Sequence, residues 1–129
     1  MKLTNEKIIT FMSIDLTAKK LPIKLGYAYS VNRSACEVLK NEYETRYNET
    51  IRKYAERDEE GNMIPPDEQG IIHISDMAAF TEEMNELATM EIEVPITTVS
   101  VDVLEKCDEE MFDSLSVAEI SSIAFMIED

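Results

Sequence analysis

PIKLGYAYSVNRSACEVLKNEYETRYNETIRKYAER, residues 22 to 57, decides the fold of this 129-residue chain. It has no proline after Pro22, and its one glycine, Gly26, falls in the opening turn. Pro22 suits the first helical position, where its missing N–H would have had no partner and its fixed φ fits the turn. From Leu25 the apolar and aromatic positions Leu25, Ala28, Leu39, Tyr43, Tyr47, Ile51 and Tyr54 recur mostly at three- or four-residue steps, with Val31, Ala35 and Cys36 between them. On the opposite face Glu42 stands four before Arg46 and Glu49 four before Lys53, acid first, as the helix dipole favours. The stretch reads as one helix. At 1.5 Å per residue its 36 residues span about 54 Å, against a radius of gyration of about 14 Å for a compact chain of this length. The helix is therefore expected to project. Its tyrosines are either half-buried core or a seam that meets another molecule, since a tyrosine ring buries area while its hydroxyl keeps a wet partner.

Upstream, Thr4 is a candidate N-cap for a helix of about residues 5–18, with Glu6 in its first turn and Ile8, Phe11 and Met12 on one face, widened by Ile9 and Leu16. The brief link Lys19-Lys20-Leu21 predicts that this helix turns back on the long one as an antiparallel pair. Downstream, Gly61 can end the long helix or make a tight turn. Pro65-Pro66 then excludes regular sheet. Ile71-Ile72-His73-Ile74 reads as a short strand, Ser75 as the cap of a helix over 76–90, and residues 91–98 as an edge strand bearing Pro95. A short helix begins at Ser100, and Ser116 with Glu119 forms a capping box ahead of a final helix of about 11 residues. No internal repeat stands out. The class is α+β and α-rich: a helical pair with one long helix, a small two- or three-stranded sheet, and packing helices. Residues 1–129 are expected to be one domain, a helical hairpin over 1–57 and an acidic α+β lobe over 58–129.

Charge divides the chain in the same place. Residues 1–57 hold 11 basic and 7 acidic residues, a balance of +4, and residues 58–129 hold 20 acids and only Lys106, a balance of −19. The total of −15 exceeds the magnitude of about 2 to 8 usual for a small domain. Such a lobe repels nucleic acid and attracts basic surfaces. Direct nucleic-acid binding is disfavoured, because Lys19, Lys20, Lys24 and Arg33 are few beside that lobe. No apolar run is long enough to span a bilayer, and the N-terminus lacks the apolar core of a signal peptide. A cytoplasmic protein without a membrane partner is expected, with Cys36 and Cys107 reduced.

Catalytic patterns are missing from the sequence. His73 is the single histidine, and it alternates with Ile72 and Ile74 onto the outward phase of its strand. No phosphate loop, nucleophile elbow or histidine–carboxylate metal set occurs. Asp58, Glu60 and Asn62 suggest a calcium loop, but Met63 stands where that loop needs glycine and Gln69 where it needs a bidentate glutamate. The expectation is a protein that is not an enzyme and has no cofactor or metal.

The runs Leu21-Pro22-Ile23-Lys24-Leu25-Gly26-Tyr27-Ala28-Tyr29-Ser30-Val31-Asn32 and Lys53-Tyr54-Ala55-Glu56-Arg57-Asp58-Glu59-Glu60-Gly61-Asn62 resemble small proteins encoded by phages and prophages of Gram-positive bacteria. The resemblance covers mainly the long helix and the acidic turn after it. It implies a phage accessory or assembly setting in a bacterial host and transfers no site residue. The expected function is therefore binding of a host protein with a basic surface, such as a nuclease or another nucleic-acid-binding protein. An anti-CRISPR or other anti-defence inhibitor is the sharper form of this reading. Asp58, Glu59, Glu60, Asp67, Glu68, Asp108, Glu109 and Glu110, in predicted connections, are the candidate partner-binding residues. The alternative is an assembly protein whose long helix forms a homodimer through Tyr43, Tyr47, Ile51 and Tyr54.

Overall fold

The computed structural model describes residues 1–128. The chain is α+β and α-rich: helices α1 (Asn5–Ser13), α2 (Ile23–Tyr54), α3 (Met77–Thr89), α4 (Val101–Glu105) and α5 (Val117–Ile123), with strands β1 (Lys2–Thr4), β2 (Glu91–Glu93), β3 (Val99–Ser100) and β4 (Ile127–Glu128). The strands make two small sheets, β1 antiparallel to β2 with Leu3 opposite Ile92, and β3 parallel to β4 with Val99 opposite Ile127. The chain divides into two compact units, Met1–Lys40 with Glu91–Asp129, and Asn41–Met90. Residues 23–40 of α2 belong to the first unit and residues 41–54 to the second.

The first unit holds the core. Phe11 is fully buried and meets Tyr29 and Phe125 edge-on, at centroid distances of 5.4 and 5.0 Å, a geometry that aligns ring edges with ring faces. Ile8, Leu25, Cys36, Val94, Ile123 and Met126 fill in around them. Thr4 caps α1 as expected, its Oγ1 accepting from the Lys7 N–H, but the helix stops at Ser13 and not at residue 18. The cause is local. The Ile14 carbonyl accepts from the Tyr29 hydroxyl and from Arg33, while the Asp15 carboxylate takes both the N–H and the hydroxyl of Thr17, closing a side-chain turn. The connection to α2 is thus a built loop pinned from α2, longer than the three-residue link the sequence suggests.

Asn32, fully buried on α2, anchors the other crossing segment. Its amide donates to the Thr97 carbonyl at 2.8 Å, and its carbonyl accepts the Thr97 N–H at 2.7 Å. The strand expected over 91–98 is regular only to Glu93: Val94 still exchanges both backbone bonds with Met1, Pro95 then interrupts, and Thr97 pairs with the Asn32 side chain in place of a strand. The partner of β2 is the N-terminal segment Lys2–Thr4, which the sequence reading did not assign to a strand. Ser116 and Glu119 form the expected capping box, with both reciprocal bonds present, and Lys19 Nζ reaches Glu119 at 2.7 Å.

The second unit pairs the end of α2 with α3 through residues 55–76. Tyr54 meets Phe80 edge-on at 6.2 Å and donates to Glu83, which also binds Lys53 Nζ at 2.6 Å. Asp76 caps α3 by accepting the Ala79 N–H, whereas Ser75, the expected cap, bonds the Tyr54 carbonyl. The segment expected as strand 71–74 is irregular, and only Ile74 makes a bridge, antiparallel to Ala55. A repeat does exist here. Asp58-Glu59-Glu60-Gly61 and Asp67-Glu68-Gln69-Gly70 fold into the same tight hairpin loop: the glycine N–H returns to the aspartate carbonyl, and the glycine φ is +84° and +79°. Only glycine adopts that left-handed closing position without strain.

Candidate interaction surface

The eight candidate acids fall into two roles. Asp58 and Asp67 are turn builders. Asp58 Oδ1 accepts the N–H groups of Glu60 and Asn62, and Asp67 Oδ1 accepts those of Gln69 and Ile71. The Ile71 amide is the largest reason the Asp67 carboxyl lies below its usual range, with the Gln69 amide and His73 adding to it. Glu59, Glu60 and Glu68 stand exposed on the two turns that these aspartates close. Asp108, Glu109 and Glu110 are exposed too, but they follow α4 in the other unit. Asp58, Glu59, Glu60, Asp67 and Glu68 thus all belong to the unit of residues 41–90, and Asp108, Glu109 and Glu110 belong to the other.

His73, expected to face outward, is exposed, and its Nε2 lies 3.2 Å from Asp67 Oδ2. The imidazole thus braces the second turn.

The four tyrosine-stripe residues differ in exposure. Tyr43 and Tyr47 stack at a tilt, 6.1 Å apart, Tyr43 half-buried and Tyr47 exposed. Ile51 and Tyr54 are half-buried, Tyr54 being committed to Phe80 and Glu83. The Glu83 carboxyl is held below its ordinary value first by Lys53 and then by the Tyr54 hydroxyl, and the same contact raises Lys53 and Tyr54. This three-residue pin locks α2 to α3.

The second unit buries little completely. Among the described residues of 41–90, Ala55 alone is fully buried. Helix α3 carries Met77, Phe80, Met84 and Leu87, and none of its residues is fully buried. The unit has 13 acidic and 4 basic residues, a balance of −9. Its exposed large apolar residues are Tyr47, Ile64, Ile71, Met77 and Met90.

Among the described residues no three His, Cys, Asp or Glu side chains gather as a metal would require, and no helix is long and apolar enough to cross a membrane. Cys36 and Cys107 are buried and unpaired, and burial raises both thiols. No family model matches the chain, and no curated protein or solved structure matches it.

Three structural features escaped the sequence reading: the duplicated Asp-Glu-x-Gly turn, the Asn32 clamp, and a second apolar row on α2. The first was open to detection, since the two tetrapeptides differ at one position. The row Ile23, Tyr27, Val31 and Val38, at steps of four, four and seven, was also present, but the stronger inner row concealed it. Nothing in the sequence around Asn32 marks it as buried.

Proposed function

We propose that this protein binds a partner protein with a basic surface through residues 41–90, and that it has no catalytic activity of its own. One observation carries the reading: a 50-residue unit with a balance of −9 buries only Ala55 among the described residues, leaving Phe80, Met84 and Leu87 of α3 half-buried and Met77 and Met90 at its two ends exposed. A segment this small is marginal when its apolar groups stay half in water. A partner laid on α3 and the end of α2 would supply the missing burial, at about 25 cal/mol for each Å² of apolar surface removed from water. The acids choose the partner. They speed encounter with a basic surface and repel a second copy of the same unit. The exposed Glu59, Glu60 and Glu68 are the steering residues, with Asp58 and Asp67 shaping the turns that carry them.

In the phage or prophage setting that Leu21–Asn32 and Lys53–Asn62 imply by resemblance, the partner class is a host nuclease or another nucleic-acid-binding protein. Its phosphate-binding groove is basic, so an acidic protein seated there competes with nucleic acid, as an anti-CRISPR or other anti-defence inhibitor would. The test is capture from a bacterial lysate with the tagged full chain, at low and at high salt. A basic protein held at low salt and released at high salt is expected. Capture that ignores salt, or that selects acidic proteins, would sink the reading.

A further inference from the structure

We propose that the first compact unit pairs with a second copy of this chain, about a two-fold axis, through the outer face of α2 near its N-terminus and the neighbouring Met111. Residues Ile23, Tyr27, Val31 and Val38 line the side of α2 opposite the buried Leu25, Tyr29, Asn32 and Cys36. Ile23 is 87% exposed, Tyr27 68% and Met111 69%. A helix that is apolar on both sides has one side too many for a single core.

The surface around this row is self-complementary in shape and in charge. Two hollows, of about 320 and 310 Å³, share Lys24 and Val103 as walls. Tyr27 borders the first hollow, and Ile23 and Met111 border the second, so projecting side chains and cavities alternate across one patch. In a two-fold interface the same patch faces itself, and each copy's projections meet the other's hollows. The charged walls are Lys24 and Lys106 against Glu109 and Glu128, two of each sign. Neither lysine has an ion-pair partner among the described residues. Lys106 is the only basic residue in 58–129, yet it lies at this patch, where another copy's glutamates can reach it. On a chain of −15 a charge-balanced apolar patch is also where two copies repel least. A partner of strongly basic or acidic character would select a patch of one sign. A second copy selects this one.

This pairing is independent of partner capture by residues 41–90, and its test is sedimentation equilibrium of the full chain from micromolar to millimolar concentration. The wild type is expected to dimerise. Lys24→Glu sets like charges across the interface and should weaken the dimer about tenfold or more. Mixing it with a Glu109→Lys, Glu128→Lys copy should restore a mixed dimer tighter than either variant forms alone. Tyr47→Lys, on the other unit, should leave dimerisation unchanged. A wild type that stays monomeric throughout, a Lys24→Glu dimer of undiminished strength, a mixture no tighter than its components, or a dimer lost in Tyr47→Lys would each overturn the proposal.

Discussion

Replacing Asn32 by aspartate tests the packing account with a proton as the switch. The Asn32 side chain is fully buried, with its NH₂ on the Thr97 carbonyl at 2.8 Å and its oxygen on the Thr97 N–H at 2.7 Å. An ionised aspartate keeps the second bond, loses the first, and sets its charge against the Thr97 carbonyl and Met126 Sδ, which lies 3.4 Å from the native amide nitrogen. A buried charge without a partner costs several kcal/mol, so the group raises its pKa and takes up a proton. Once protonated, the carboxylic acid copies the amide, its O–H donating to Thr97 and its C=O accepting. The variant's folded pKa is thus raised above its unfolded value of about 3.9. Stability relative to the wild type is then fully present below that unfolded value and is lost as pH rises through the folded one. For Asn32→Asp we expect a deficit of about 3 kcal/mol or more at pH 7 that largely closes near pH 4. Asn32→Ala, which loses two hydrogen bonds and opens a cavity, should lose about 2–4 kcal/mol at both pH values. Urea denaturation of the three proteins at the two pH values provides the numbers. An Asn32→Asp deficit that is the same at both would refute the clamp as described.

Phe11→Ala removes the ring that Tyr29 and Phe125 meet edge-on and should lower stability by about 3–5 kcal/mol in the same assay; a loss below about 1 kcal/mol would contradict its central place. Asp58→Ala should speed hydrogen exchange at the Glu60 and Asn62 amides, and Asp67→Ala at Gln69 and Ile71, each without touching the other turn; unchanged exchange would count against the aspartates as turn builders. Acid should weaken the fold through Asp15, Asp67, Glu83 and Glu119, whose folded pKa values lie below their ordinary 3.8 or 4.5. Their contribution is present above the ordinary values and lost as pH falls through the folded ones. Alkali acts on the other side of the α2–α3 pin. Lys53 and Tyr54 are raised above 10.5 and 10.0, so their contribution is lost as pH rises beyond those values. An acid titration whose midpoint is the same in Glu83→Gln as in the wild type would show that the pin contributes nothing.

The elements that sequence alone placed well are those set by local chemistry. The Thr4 cap, the capping box of Ser116 and Glu119, and the uninterrupted run of α2 each depend on residues within one or two turns of each other. What it misplaced depends on distant partners. The end of α1 is set with the help of Tyr29 and Arg33, the path of Thr97 after β2 by Asn32, and the pairing of β1 by a segment about 90 residues away. Charge behaved differently again. The acid-rich connections were legible from composition, but composition does not separate Asp58 and Asp67, whose carboxylates are used within their own turns, from Glu59, Glu60 and Glu68 beside them. Nor does periodicity show that the tyrosine stripe changes character along one helix, from Tyr47 in water to Tyr54 on Phe80.

The central claim is that residues 41–90 capture a basic partner, and it is tested most directly by comparing two full-length baits in one lysate at low salt. One is the wild type and the other carries Glu59→Lys, Glu60→Lys and Glu68→Lys, with bound proteins quantified by mass spectrometry. The account predicts a basic protein retained by the wild type and lost from the reversed bait. Equal retention by both baits, or no basic protein on the wild type, would contradict it.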